Sequence, residues 1–224
     1  MSDFALLIIA VVLFVGGHEL LSHPLRRTLV RAIGEKGFML VYSVVALGSL
    51  FWAVELWKIV PPDRLWQAPA GAYMAAPLVM LIAFILFVGS VATPNPALMG
   101  GGIPGKPGKV QAITRHPMMW AFALWAIVHI TLSADSRTLV LAGGILTLAL
   151  FGSAMQDRKK LAAQPGYSDH MAKTAFIPFM AQLSGRQPLA TLWPGLVPVI
   201  GGVLLWAAML WLHPMLIGVP AIQH

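Results

Sequence analysis

Residues 4–21 read FALLIIAVVLFVGGHELL. Among these eighteen residues only His18 and Glu19 are polar. As a helix the stretch would be about 27 Å long at 1.5 Å per residue, close to the ~30 Å of bilayer hydrocarbon. In lipid the backbone must satisfy its own hydrogen bonds, and a helix does that within a single segment. The stretch is therefore predicted to be a membrane-spanning helix. No lysine or arginine precedes it, the basic residues follow it, and no small-residue cleavage site is present. It reads as a retained first helix, not as a signal peptide.

The rest of the chain agrees. Of its 224 residues 58% are hydrophobic and 10% charged, against about 25% charged in soluble domains. So few charges cannot cover a soluble surface. Five more apolar stretches follow, at 38–60, 75–92, 117–132, 138–155 and 192–212. The predicted fold is all-α: a polytopic bundle of about six transmembrane helices, forming a single domain over 1–224. Short interfacial helices are expected on the cytoplasmic side. The fourth and fifth stretches are separated by SADSR (133–137), a tight polar turn that predicts an antiparallel hairpin. Cysteine is absent, which excludes disulfides, thiolate metal sites and a cysteine nucleophile.

The net charge of +7 is explained by topology. Arg26, Arg27, Arg31 and Lys36 follow the first stretch. Lys106, Lys109 and Arg115 precede the fourth, and Arg158, Lys159, Lys160, Lys173 and Arg186 precede the sixth. Only Lys58, Arg64 and Arg137 fall in the intervening connections. The positive-inside rule makes the twelve-charge side cytoplasmic. Six helices then put both termini in the periplasm of a bacterial inner membrane. The basic residues are expected to meet anionic lipid, and no nucleic acid is expected as partner.

Two loops carry further signals. TPNPALMGGGIPGKPGKVQAITRHP (93–117) is too rich in proline and glycine for regular structure. It suggests a flexible linker or a backbone that packs close to a ligand. Its Gly100–Gly102 run lacks the lysine and hydroxyl residue of a phosphate-binding loop. QDRKKLAAQPGYSDHMAK (156–173) reads as an amphipathic interfacial helix broken near Pro165 and Gly166, with a solvated basic face on lipid headgroups.

Ionisable residues inside apolar stretches are costly and usually face the bundle interior. His18 follows Gly16 and Gly17, which permit close approach of a helix or a flat ligand. Glu19 and His23 are spaced to pair on one helix face. His129 lies thirteen residues after His116, with Trp125 one turn before it. Each histidine can simply bond a neighbouring helix. Two histidines on separate spans, among small and aromatic residues, also suit axial ligation of a haem. A zinc or iron site would usually bring a third protein ligand. In ITRHPMMW (113–120), Pro117 suits a first helical turn and Arg115 is one of the inside charges. Neither accounts for His116.

Several motifs in order, GGHELLSHPLR (16–26), NPALMGGG (95–102), ITRHPMMWAFALWAIVHI (113–130), FGSAMQDRKKLAAQPGYSDH (151–170) and HPMLIG (213–218), together resemble the NnrU family. The match runs over essentially the whole chain. Members are membrane proteins associated with denitrification, and the family includes a 15-cis-zeta-carotene isomerase that holds haem b through two histidines and acts on a polyene. The resemblance implies haem b here, with His18 and His129 as axial ligands to the metal. It also implies a haem-dependent redox or cis-trans isomerase activity on an apolar polyene, or a role in nitrogen-oxide metabolism. The isomerase has a cysteine three residues before its second ligand; this chain has Ala126, so a ligand switch there is not expected. Arg115 and His116, with Arg26 or Arg27, are candidates for the haem propionates, since guanidinium suits bidentate carboxylate pairing.

Helix rise raises a difficulty. His18 lies roughly 8 Å from the cytoplasmic edge and His129 roughly 20 Å from it. Tilt, or a fourth helix that begins outside the hydrocarbon, would bring them level; otherwise His116 with His18 is the easier pair. RHP before an apolar helix, then an acidic and a tyrosine position, is also similar to isoprenylcysteine carboxyl methyltransferases and phospholipid methyltransferases. That implies an S-adenosylmethionine site lined by Arg115, His116, Asp157 and Tyr167. The match is partial, because RHPMMW lacks the usual tyrosine and glycine and His170 stands at a second tyrosine position. A third expectation is a non-enzymatic accessory factor that assists nitrogen-oxide reductases.

Overall fold

The computed structural model describes residues 1–93, 95–96 and 109–219. The Gly100–Gly102 run, Lys106 and most of NPALMGGG lie outside the described residues. The helices are α1 (Asp3–Ser22), α2 (Arg26–Ile59), α3 (Ala70–Ala92), α4 (Lys109–Ile113), α5 (Pro117–Ser133), α6 (Ser136–Ala163), α7 (Tyr167–Lys173), α8 (Met180–Leu183) and α9 (Leu196–Ile217), with a 3₁₀ turn at Leu189–Leu192. Five of them are long and apolar enough to cross a membrane: α1, α2, α3, α6 and the stretch Leu189–Ile217 that contains α9. The 17-residue α5 is about 26 Å long, at the short end for a span. The chain is thus an all-α, multi-pass membrane protein.

Three boundaries differ from the apolar runs. First, α2 begins at Arg26, where a loop to residue 37 is expected. Gly34 (φ 74°) interrupts it, a backbone state glycine adopts without a Cβ penalty. Arg26 bonds Glu35 across the interruption and lies 5.2 Å over the Phe38 ring. Second, α6 continues past residue 155 to Ala163. Its last turns are charged, yet nothing breaks the helix before Pro165 and Gly166 (φ 81°). Third, α9 starts at Leu196, after Pro194 and Gly195 (φ 99°), and runs on to Ile217.

The chain forms two compact units, residues 1–68 with 129–148, and residues 69–128 with 149–224. Between helices in lipid the hydrophobic effect is weak, so close approach and polar contacts decide the packing. In the first unit Leu7, Ala10, Val11, Ala53, Leu56, Val60 and Leu141 form the core. A Cβ on Gly17 would lie 2.9 Å from Val45 Cγ1, so that glycine lets α1 meet α2. Gly144 on α6 lies against Val11 in the same way.

Arg137 fastens this unit at the α2 end. Its Nη1 donates to the carbonyls of Trp57 (3.1 Å) and Val60 (2.9 Å). These belong to carbonyls that a helix C-terminus leaves without partners. The guanidinium also sits 4.5 Å over the Trp57 ring. Trp57 Nε1 donates to Thr138 Oγ1, and Asp135 caps α6 by accepting from the Thr138 N–H at 2.7 Å. The expected turn between α5 and α6 is present, with Ala134 at φ 52°.

In the second unit α3 packs on α9. Gly202 touches the Ile85 backbone and Gly201 the Val88 side chain, while Trp206 Nε1 donates to the Pro77 carbonyl at 2.9 Å. Ala83, Leu86, Ile113 and Ala121 form the core beside them.

Candidate functional site

The TRHP stretch is held from both sides. Pro117 starts α5 and disfavours a helical residue 116. The Arg115 N–H donates to the Ala175 carbonyl at 2.9 Å. Thr114 Oγ1 and Trp120 Nε1 each donate to the Phe176 carbonyl at 2.7 Å. These bonds aim Arg115 and His116 at the charged extension of α6.

There they meet Asp157. Arg115 Nε donates to Oδ2 at 2.7 Å, His116 Nε2 contacts Oδ1 at 2.8 Å, and the Tyr167 hydroxyl donates to Oδ1 at 2.7 Å. Facing a carboxylate, His116 Nε2 is assigned the proton. All four side chains are buried: Arg115 8%, His116 4%, Asp157 6% and Tyr167 0% exposed. A buried carboxylate with three donors is the arrangement that offsets its desolvation. Phe176 closes the cluster, edge-on to His116 at 5.3 Å and 5.6 Å under the Arg115 guanidinium. Burial, and then the Asp157 carboxylate, push the Tyr167 hydroxyl well above the usual phenol range. Tyr167 is therefore a neutral donor.

His170 is the fifth member. It is 1% exposed and packs on Tyr167 with ring centroids 5.7 Å apart. Among the described residues neither ring nitrogen has a hydrogen-bond partner. Burial, and next the charge of Arg115, lower its pKa to about 4. The 156–173 stretch therefore does not present a wholly solvated basic face. Asp157, Tyr167 and His170 turn inward, while Arg158, Lys173 and Asp169 stay exposed. The signal for His170 was available in the i, i+3 spacing of Tyr167 and His170, which places them on one helical face.

A pH dependence follows. The native pKa of His170 is below its unfolded value, so from about pH 6.5 down to about 4 the unfolded state takes the proton and the native state does not. Stability is full above pH 6.5 and is lost across that window, by on the order of 3 kcal/mol. Thermal unfolding of detergent-solubilised protein between pH 7.5 and 4.5 measures it. His170→Gln should flatten the slope; an unchanged slope would contradict the assignment.

The other sequence-singled histidines lie elsewhere. His18, in the first unit, places Nδ1 2.8 Å from the Phe14 carbonyl. With the proton on Nδ1, Nε2 has its lone pair available. Its ring stands edge-on to Phe14 at 4.6 Å and to Tyr42 at 5.3 Å. His129 is half-buried near the end of α5 and belongs to the same unit. His23 pairs with Glu19 at 3.3 Å, as their spacing implied. Among the described residues no group of three or more His, Cys, Asp or Glu gathers as a metal site; a haem held by two imidazoles does not require one. The structure thus unites Arg115 and His116 on Asp157 in the second unit, while His18 and His129 belong to the first.

Comparison with known proteins adds the following. A family profile described as NnrU protein matches residues 6–221. Two curated relatives are named 15-cis-zeta-carotene isomerase, chloroplastic. The chain is 26% identical to that of Arabidopsis thaliana over 174 residues, 71% of this chain and 45% of the relative. It is 31% identical to that of Zea mays over 81 residues, 36% of this chain and 22% of the relative. The chain therefore spans less than half the length of these relatives. No solved structure matches.

Proposed function

The chain belongs to the NnrU family, and from that premise we propose that it is a haem-b membrane protein acting on an apolar polyene as a cis-trans isomerase. The observation that carries the reading is His18. A ligating imidazole typically gives its other ring N–H to a carbonyl or carboxylate, which fixes the tautomer and orients the ring. His18 meets that requirement through Phe14, and its Nε2 is the nitrogen for iron. His129 would be the second ligand. His116 is less suited, because its Nε2 is engaged by Asp157.

A haem so held supplies a redox-active iron with two protein ligands. The protein's own part is to orient the imidazoles and to admit an apolar molecule. A groove of about 550 Å³ between α1 and α2, lined by Gly16, Gly17, Val44, Gly48 and Trp52, supports the second role. The groove includes the residues that directly precede His18 in the chain. The names of the curated relatives support polyene chemistry, and a link to nitrogen-oxide reductases is the alternative use of the same haem. We place the basic loops on the cytoplasmic side of a bacterial inner membrane, with both termini periplasmic, on the distribution of the fifteen basic residues.

The test is an absorption spectrum. Protein produced with ample haem should show a Soret band that His18→Ala and His129→Ala each abolish and His213→Ala retains. Folded wild-type protein with no such band would overturn the proposal.

One observation favours a second reading, an S-adenosylmethionine enzyme: Arg115, His116, Asp157 and Tyr167 do come together, with the unpartnered His170 beside them. Against it, the Asp157 carboxylate already accepts from three side chains. Isothermal titration with S-adenosylmethionine separates the two readings, since heat of binding would favour the methyltransferase.

A further inference from the structure

We propose that residues 176–193, between α7 and α9, form an interfacial element seated in the headgroup layer of the bilayer, with Leu183, Leu189 and Trp193 as its anchors. This proposal is independent of the haem assignment. The three side chains are 76%, 69% and 52% exposed. Isolated exposed apolar residues are ordinary, but these lie in one short segment that ends three residues before α9. The exposed residues Leu196, Val197 and Ile200 of α9 continue directly from Trp193. The apolar surface of the element is thus continuous with a surface that already faces lipid.

The segment cannot fold these side chains inward, because its polar groups hold it from behind. The Phe179 N–H donates to the Ile113 carbonyl at 2.9 Å. Gln182 Nε2 donates to the Ala112 carbonyl and to Thr191 Oγ1, each at 2.9 Å. Arg186 Nη1 donates to the Thr174 carbonyl at 2.8 Å. Phe179 itself has φ 69°, a left-handed state that a side chain adopts at a cost and that persists where surroundings impose it. The backbone is set, and the apolar side chains point out.

The charge favours a phospholipid surface. Residues 174–193 contain no Asp or Glu and one Arg, and Lys173 stands at the boundary. Exposed cations beside apolar anchors suit phosphate headgroups over acyl chains, and tryptophan is enriched at that depth. The anchored element carries the Phe176 carbonyl that holds Thr114 and Trp120, and it follows directly on Ala175, whose carbonyl holds Arg115, so the bilayer contact and the buried cluster share one support.

The absence of cysteine makes the test direct. Single-cysteine variants Leu183→Cys and Leu189→Cys carry a nitroxide in full-length protein reconstituted into phosphatidylethanolamine–phosphatidylglycerol vesicles. Arg158→Cys and Leu204→Cys serve as water-exposed and lipid-exposed references. The ratio of collisions with oxygen to collisions with a water-soluble nickel chelate should be several-fold higher at 183 and 189 than at 158, and below that at 204. A ratio equal to that at 158 would overturn the proposal. So would low access to both reagents with dipolar broadening, which would mean that a second copy covers the face. A separate measurement needs no label: brominated lipid should quench a component of tryptophan fluorescence that Trp193→Phe removes. No such component would count against the anchor.

Discussion

Asp157→Asn is expected to destabilise the protein by roughly 3–5 kcal/mol, the cost of leaving a buried charge unpaired. Asp157 is the acceptor that Arg115 Nε, His116 Nε2 and the Tyr167 hydroxyl share. An amide in its place has no charge, and its NH₂ faces a donor. The loss should lower the thermal midpoint in detergent by about 6–20 °C for a chain of this size. A coupled pair is not additive, so Arg115→Met in the Asp157→Asn background should recover part of the loss. A midpoint within 2–3 °C of wild type for Asp157→Asn would show that solvent reaches the cluster and that the geometry is looser than described.

Gly202→Val should be the most damaging change outside that cluster, costing about 3 kcal/mol or more by overpacking. A Cβ at this position would lie 2.8 Å from Ile85 Cα and 2.9 Å from its backbone nitrogen. Backbone cannot rotate away as a side chain does, so α3 and α9 would have to part. Their contact would then lose the close packing on which helix association in lipid depends. The expected result is protein that fails to accumulate in the membrane or unfolds far below wild type in detergent. Gly48→Ala is the control, because a Cβ there meets nothing within 4 Å and alanine is the better helix former. Equal behaviour of the two variants would refute the tight α3–α9 contact.

Much of the fold was legible before any coordinates. The apolar runs that became α1, α3, α5 and α9 were visible because a span needs ~20 apolar residues whatever its neighbours are. The turn at 134–135 was visible because the short stretch SADSR, four of its five residues polar, separates two such runs. Gly17 was legible as a contact glycine, and Glu19–His23 as a pair, because both depend on helical spacing alone. The ends of α2 and α6 were not legible. Helix can continue into charged sequence once it leaves hydrocarbon, so hydropathy marks the membrane, not the helix. Only Gly34 and Pro165–Gly166 show where the backbone changes direction.

The site divides in the same manner. ITRHPMMW announced a helix start, and His116 within it had no local explanation. Its explanation is Asp157, forty-one residues later, with Tyr167 on a different helix. No spacing rule links positions joined by tertiary packing, and pattern alone could not distinguish a ligand-lining set from a closed brace.

The sequence alone determined that this chain crosses the membrane several times as helices, because apolar length and backbone hydrogen bonding in lipid leave no other choice. It also showed that most of the basic residues fall outside the apolar runs. Only the tertiary structure decided which polar residues share a buried space. Desolvation makes each buried charge find its partner, and the partner of Arg115 and His116 is supplied by a helix that runs two turns beyond its apolar segment.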